Sequence, residues 1–280
     1  MSAHPQEWSG IGPALEPVRT APRRRGWSAL GMGWILPAVV LAVWEGAVRA
    51  GWVRPHLLPA PTEIVQTLIA FGGQGLASHV LASSARVAAG FAIGTVLAIA
   101  IGALVGLSRR AEGLLDPTFQ ALRAIPSLAW VPLLLLWLGI DEASKIALIA
   151  IGAFFPVYMG VASGFRDVDR KLVEAARMHR LGSVAMVRRV LLPAALPAVL
   201  TGLRNGLSLA WMFMVAAELI AATRGLGYLL TDGREMGRAD IVLAAIVLLA
   251  LLGKITDTGM AWLERRWLSW RDTYDTAARD

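Results

Sequence analysis

Long apolar runs constrain the fold of this chain more than any other sequence feature. The clearest run extends from Val87 to Leu107 and contains no charged residue. About 20 residues of α-helix cross the roughly 30 Å hydrocarbon core of a bilayer, so a run of this length fits one membrane crossing. Hydrophobic residues make up 56% of the chain and charged residues only 17%, which is too apolar for an ordinary soluble domain. The sequence therefore predicts an all-α, polytopic transmembrane helical bundle.

The apolar runs predict six spans, at about 31–50, 85–107, 118–139, 144–163, 196–222 and 240–262. Together these spans form one transmembrane domain, 29–265. Residues 1–28 are polar and rich in proline, so we predict a disordered cytoplasmic tail there, and 266–280 form a C-terminal tail on the same side. Residues 51–84 are predicted to lie beside the membrane, with a short amphipathic helix beginning near Thr62.

Glycines and prolines add local detail to the spans. The second span has four glycines separated by multiples of four residues: Gly90, Gly94, Gly102 and Gly106. This spacing places small surfaces on one helix face, where another helix can pack closely. In the third span, Pro126 and Pro132 remove backbone donors, and neighbouring helices can satisfy the freed carbonyls. We therefore expect a kink in this span rather than a break.

Basic residues mark the ends of the apolar runs. The net charge is +7, but the arginines and lysines are distributed among loops and tails, so we predict no nucleic-acid partner. They are most abundant between spans four and five and also occur in both tails. Because basic residues are retained on the cytoplasmic side, this loop and both termini are predicted to be cytoplasmic. With no cysteine and only four histidines, we assign no metal and no cofactor.

The loop between spans four and five is long and rich in helix formers. Asp169 can cap a helix from Arg170 to Leu181 that Gly182 ends, and Ser183 can cap a second helix that runs to Leu192 before Pro193. Two short cytoplasmic helices are therefore predicted over 169–192. Small side chains on the first helix would let another protein approach closely. The alternative from composition is a basic helix on the membrane surface that holds anionic lipid head groups.

The same loop carries a family resemblance. Glu174–Ala176, followed by Val190–Pro193, resembles the EAA signature of binding-protein-dependent ABC importer permeases. One position departs from that signature, because Arg180 stands where the family usually has glycine, with Gly182 two residues later. Further segments extend the resemblance over roughly 30–265 and are most similar to the sulfonate, taurine and nitrate branch. These segments are Leu58–Thr62, Arg123–Leu133, Ala217–Glu218 and Gly225–Tyr228.

This resemblance implies a MetI-like, type I importer fold in the cell inner membrane. It implies a permease subunit that translocates a small oxyanion, with aliphatic sulfonate favoured and taurine, nitrate or bicarbonate as alternatives. The implied partners are a second copy of the chain, two cytoplasmic ATP-binding subunits and an extracytoplasmic binding protein. No Gly-x-x-x-x-Gly-Lys-Ser/Thr phosphate loop occurs in the sequence, so a partner must hydrolyse ATP and the chain itself is not an enzyme. The implied ATPase-coupling residues are Glu174, Ala175, Ala176, Arg180, Gly182, Leu192 and Pro193.

The fifth span has a polar face that is a candidate for the translocation path. The candidate residues are Arg204, Asn205, Ser208, Trp211 and Glu218, of which all but Asn205 share one helical face. A guanidinium beside Asn205 suits the oxygens of a sulfonate, and Trp211 could cover an alkyl tail. The alternative is that Arg204 snorkels to the cytoplasmic surface and Trp211 packs. For Glu218 we favour a structural or gating pair with Arg224 over substrate contact.

Two other functional classes compete with the permease interpretation. An intramembrane enzyme would need carboxylates or histidines that converge at one depth, and the spans offer no obvious set. A secondary transporter would couple protons through Glu45, Glu218 or Asp257 without any ATPase. The pair Lys254 and Asp257, three residues apart in the sixth span, is expected to neutralise itself.

Overall fold

A computed structural model of the chain describes residues 27–73 and 75–268. The five longest helices are α1 (Trp27–Arg49), α3 (Leu76–Leu107), α6 (Glu142–Arg166), α9 (Leu192–Ala221) and α11 (Ala239–Trp267). The shorter helices are α2 (Pro61–Gly72), α4 (Arg109–Ala124), α5 (Val131–Leu138), α7 (Arg170–Met178), α8 (Ser183–Met186) and α10 (Leu226–Glu235). The all-α prediction is confirmed for the described residues.

Four helices are long and apolar enough to cross a membrane: Leu76–Leu107, Glu142–Arg166, Val184–Ile220 and Ala239–Trp267. A fifth crossing is counted if α4 and the helical stretch that follows it form one bent span. These five regions overlap the second to sixth predicted spans. Helix α1 overlaps the first, and its 23 residues correspond to about 34 Å of helix. The count of six spans is compatible with the structure and stays a prediction.

The third predicted span is broken rather than kinked, so that prediction is wrong. Helix α4 ends at Ala124, Ile125 is extended, and the chain resumes in a 3-10 turn over Ser127–Trp130 before α5, with a bend of 90°. The reason is local, because the ring of Pro126 disfavours the helical conformation of the residue before it. Pro132 causes no break, because it lies in the first turn of α5, where a helix needs no backbone donor.

Helices α3, α6 and α9 form the core of the bundle. Their close approach depends on glycine: a Cβ atom added at Gly90 would lie 2.6 Å from the Cβ of Ile149, and one at Gly102 would lie 2.9 Å from the Cβ of Val161. Real side chains do not tolerate such distances, so α3 can pack this closely on α6 only with glycine at these positions. The predicted small-residue face of the second span is therefore confirmed.

The segment before the second span divides differently from the prediction. Helix α2 begins at Pro61, close to the predicted start at Thr62. Helix α3, however, begins at Leu76, nine residues before the predicted span at 85, and so takes in residues that we had placed beside the membrane. We call the end of the bundle that carries α7 the α7 side and the opposite end the distal side. The early start of α3 brings Ser83 into the bundle at its distal side, one turn before Arg86.

Candidate functional site

A cluster of charged and polar side chains lies at the distal side, buried except for Glu142, whose side chain is 56% exposed, and we call it the distal cluster. Its members are Ser83, Arg86, Glu142, Lys145 and Glu218. The Glu218 side chain is 0% exposed. Its carboxylate accepts hydrogen bonds from Ser83 Oγ at 2.8 and 2.9 Å and from Arg86 Nη1 at 2.6 Å. A buried carboxylate is tolerated only when its charge is compensated in this way.

Arg86 links three parts of the chain at this point. Its Nε and Nη2 donate to the two oxygens of Glu142 at 2.6 and 2.7 Å, while Nη1 donates to Glu218 and to the backbone carbonyl of Arg224 at 2.6 Å. Lys145 Nζ donates to Glu142 at 3.1 Å. Two cations therefore face two carboxylates, and the cluster is neutral as a whole. It joins the start of α3, the start of α6 and the end of α9.

Glu218 also organises the turn before α10. The N–H of Gly227 donates to Glu218 Oε2 at 2.8 Å, and the N–H of Leu226 donates to Ser83 Oγ at 2.8 Å. Both donors belong to the first turn of α10, where backbone N–H groups lack helical partners and the helix dipole favours a negative charge. A Cβ atom at residue 227 would lie 2.5 Å from the Cβ of Glu218, which explains the second glycine of the Gly225–Gly227 turn.

The predicted partner of Glu218 was wrong. Arg224 contributes only its backbone carbonyl, and the guanidinium that pairs with Glu218 belongs to Arg86. The sequence did contain a signal for this pair, because an arginine inside an apolar helix needs a carboxylate partner. We missed it because the span was predicted to begin at 85, which placed Arg86 at a membrane boundary where its charge would be solvated.

The candidate path residues of α9 lie in different environments. Arg204 Nε and Nη2 donate to the two oxygens of Asp257 in α11 at 2.5 and 2.9 Å, and Glu264 lies 3.8 Å from its guanidinium. The ion pair that Asp257 forms is therefore interhelical and bidentate, with Arg204 rather than with Lys254 three residues away. Trp211 is buried, and its Nε1 donates to Thr256 Oγ1 at 3.0 Å, which favours the packing interpretation.

The other two candidates on α9 lie on an open face of the subunit. Asn205 and Ser208 are exposed, and so are Thr201 and Met212. These four residues are separated by four, three and four positions, so they follow one side of the helix, and we call them the exposed stripe. Polar groups on an unpacked side of a membrane helix are costly in lipid. Within the exposed stripe the hydroxyls of Thr201 and Ser208 donate to backbone carbonyls four residues before them, so the Asn205 amide is the polar group that requires water, substrate or another protein beside it.

The first helix of the long loop begins as predicted and ends earlier. Asp169 caps α7 by accepting a hydrogen bond from the Lys171 N–H at 2.8 Å. The predicted end at Gly182 is wrong, because α7 ends at Met178 in a Schellman motif: the N–H of Leu181 bonds to the carbonyl of Ala176 at 3.3 Å and that of Arg180 to Arg177 at 2.9 Å. Arg180 has φ 53°. This left-handed conformation explains why glycine is usual at this position.

The second predicted loop helix is not a separate element. Helix α8 continues through a π-helical turn, Val187–Leu191, directly into α9, so Pro193 does not end it. In the π turn the N–H of Leu192 bonds to the carbonyl of Val187, five residues back. Proline offers no N–H and crowds the preceding turn, and a π turn is one way in which a helix accommodates such a defect. The end of this loop and α9 therefore form one continuous helix, without a break between them.

The small residues of α7 face different environments. Ala176 is only 6% exposed because it packs within the chain, whereas Glu174 and Ala175 are exposed. Two apolar side chains are also uncovered here: Met178 is 85% exposed and Val184 is 72% exposed. Apolar groups that project from a polar loop usually mark a surface that a partner covers. We call Glu174, Ala175, Met178 and Val184 the docking surface.

Comparisons with known proteins agree with this architecture. Residues 77–269 match the family described as binding-protein-dependent transport system inner membrane component. The chain is 43% identical over 264 residues to a Bacillus subtilis (strain 168) protein that carries the name aliphatic sulfonates transport permease protein SsuC, covering 93% of this chain and 94% of that protein. It is 37% identical over 239 residues to the Escherichia coli (strain K12) taurine transport system permease protein TauC, covering 83% and 87%.

A solved structure shares the fold. A chain of the MetNI methionine ABC transporter in an inward facing conformation superposes with a TM-score of 0.60 over 69% of this chain and 95% of that chain, at 22% identity. At this identity the likeness concerns the fold alone, and it confirms the expected MetI-like arrangement. The family match covers well over half of the chain, and the relatives match along nearly their whole length. The chain therefore belongs to the binding-protein-dependent transport system inner membrane components, the permease subunits of ABC importers.

Proposed function

We propose that the chain is the permease of an importer for aliphatic sulfonates. The observation that carries this proposal is the 43% identity to a permease named for aliphatic sulfonates, over 93% of this chain. Taurine is itself a small sulfonate, and the 37% identity to a taurine permease keeps it as the second candidate. The assembly we propose contains two copies of this chain, two cytoplasmic ATP-binding subunits and an extracytoplasmic binding protein.

The α7 side is the cytoplasmic side in this proposal, and both termini lie there. The basic residues support this orientation, because the loop that contains α7 carries the largest share of the loop arginines and lysines. The docking surface would contact the ATP-binding subunit, which would cover Met178 and Val184. Closure of the ATPase dimer would then move α7, and the continuous helix from α8 into α9 would transmit that movement to the membrane.

The exposed stripe of α9 is our candidate for the translocation path. In a pair of subunits, two such stripes could enclose a passage between them. Asn205 offers amide donors to sulfonate oxygens, whereas the Ser208 hydroxyl donates to the Arg204 carbonyl. Hydrogen bonds to charged groups contribute about 1.5–3 kcal/mol each. Arg204 would hold α9 against α11 rather than bind the anion as a free cation, because Asp257 neutralises its charge.

Reconstituted transport tests the proposed function. The tagged chain would be purified with the ATP-binding and binding-protein subunits that co-purify with it and placed in proteoliposomes without a proton gradient. Uptake of ethanesulfonate should require ATP, and taurine, nitrate and bicarbonate should compete less well. Uptake driven by a pH gradient in the absence of ATP would instead identify a secondary transporter, and ATP-driven uptake of another anion alone would remove the sulfonate assignment.

Replacement of Asn205 by leucine should slow ethanesulfonate uptake about tenfold or more, because it removes a hydrogen bond to the anion worth roughly 1.5–3 kcal/mol. ATPase binding should be unchanged. Thr258→Val is the matched control, because it removes a polar group from an exposed face of α11 that is not part of the stripe. Equal uptake by the native chain and the Asn205→Leu variant would take this residue out of the path.

A further inference from the structure

A cavity lies at the distal side, away from the distal cluster. It is open to the surface, has a volume of about 700 Å³ and is lined by the end of α9, by α10, by the first half of α11 and by the loop before α2. Its walls are mainly aliphatic and are formed by Leu58, Leu219, Leu230, Val242, Leu243 and Ile246. The size is typical of a pocket that binds a small organic molecule.

The polar groups of this cavity favour an anion. Arg234 and His56 are its only ionisable lining residues, and no carboxylate lines it. Among the described residues, no carboxylate lies within ion-pair distance of Arg234, whereas the nearby Arg238 is paired with Asp240 at 2.7 Å. Thr231 also lines the cavity, but its Oγ1 is buried and does not face it, so Arg234 is the side chain that would hold an anion.

The position of the cavity connects it to the exposed stripe. Leu219 follows Met212 by seven residues, two helical turns, so it lies on the same side of α9. A molecule in the cavity would therefore lie at the distal end of the stripe, where a substrate would enter from outside if the α7 side is cytoplasmic.

We infer that this cavity receives the alkyl chain of an organosulfonate, with the sulfonate oxygens at Arg234, and that it selects substrates by chain length. This inference rests on the proposed function and adds a specificity site to it. An alkyl chain with an oxyanion head also describes an anionic phospholipid, so both sources of the same chemistry must be compared. If the chain is buried, apparent affinity should rise about fourfold per methylene group, equivalent to about 0.8 kcal/mol.

Transport of ethane-, butane-, hexane- and octanesulfonate by the full complex tests the inference. The complex would be placed in proteoliposomes of phosphatidylcholine alone and of phosphatidylcholine with phosphatidylglycerol. Ile246→Trp would narrow the cavity, and Val247→Trp is its matched control, because the two residues are 46% and 45% exposed and only Ile246 lines the cavity. Arg234→Gln would remove the charge, with Arg224→Gln as the control from the same side of the bundle.

We expect Ile246→Trp to raise the KM for octanesulfonate at least tenfold while the KM for ethanesulfonate changes less than twofold. Arg234→Gln should raise the KM for all four sulfonates and leave the dependence on chain length intact. Both controls should resemble the native chain.

Three results would overturn the inference. The first is a native KM that does not depend on chain length, or equal behaviour of Ile246→Trp and Val247→Trp, while ethanesulfonate uptake still supports the proposed function. The second is phosphatidylglycerol that co-purifies with the native complex, is lost in Ile246→Trp and abolishes the chain-length dependence, because the cavity would then hold lipid. The third is loss of assembly in Ile246→Trp alone, because a second copy of the chain would then fill the cavity. A native complex that transports no sulfonate would instead refute the proposed function, and this inference with it.

Discussion

Replacement of Arg86 by leucine is expected to lower the free energy of unfolding by about 3–5 kcal/mol, the usual cost of removing one partner from a buried ion pair. The change leaves the fully buried Glu218 carboxylate without its cation, whereas Glu142, whose side chain is 56% exposed, keeps Lys145 as its partner. Thermal unfolding of the purified chain in detergent, together with its yield in the membrane, would measure the effect. Because Glu218 still accepts bonds from Ser83 and Gly227, the variant should fold, with a lower melting temperature.

Arg49→Leu provides the matched control for this prediction. Arg49 forms an ion pair with Glu45 at 2.7 Å, but its side chain is exposed. Exposed pairs contribute about 0–1 kcal/mol, so the same arginine-to-leucine change should have little effect there. The double variant Arg86→Leu with Glu218→Gln should regain part of the lost stability, because it removes the uncompensated charge. If the Arg86→Leu and Arg49→Leu variants unfolded at the same temperature, the distal cluster would be hydrated rather than buried and would not hold α3, α6 and α10 together.

Tryptophan at position 175 is expected to disable ATPase docking without destabilising the chain. Ala175 is exposed on the docking surface, so a large side chain there would meet only the partner. Overpacking a close contact costs about 1–3 kcal/mol, which weakens an association roughly 5- to 150-fold. Co-purification of the ATP-binding subunit and ATP-driven uptake should both fall by this order, and the melting temperature of the isolated chain should stay the same.

The same substitution at the neighbouring residue, Ala176, should destabilise the chain itself. Ala176 is buried within the chain, so Ala176→Trp should lower the melting temperature, with a cost of about 1–3 kcal/mol from overpacking. The pair of variants therefore separates docking from internal packing in one helical turn. Full recovery of the ATP-binding subunit with the Ala175→Trp variant would exclude this face of α7 from the coupling contact. Unfolding of both variants at the same lowered temperature would place Ala175 inside the chain as well.

The sequence predicted best where a signal is local. The length of an apolar run sets where a membrane helix can lie, and the second to sixth predicted spans overlap the helices found. The spacing of glycines predicted the packed face of α3 because helical periodicity fixes which residues share a side. Local reasoning failed at two prolines, because the effect of a proline on a helix depends on the turn that surrounds it. Pro126 breaks its span through its effect on Ile125, whereas Pro193 stays within a helix because a π turn accommodates it.

Ion pairing shows what only the tertiary structure decides. The sequence determined that charges within the spans need partners, because an uncompensated charge in a low-dielectric interior is costly. It did not determine which partners, since neutralisation requires only an opposite charge nearby. Glu218 pairs with Arg86, 132 residues away, although Arg224 is closer to it along the chain. Asp257 pairs with Arg204, 53 residues away, although Lys254 is closer to it along the chain. Class and approximate spans thus follow from composition and periodicity, and the family follows from the resemblance of its motifs. The distal cluster and the cavity beside α10 exist only because close helix packing brings distant residues together, and the same packing decides which side of α9 stays exposed.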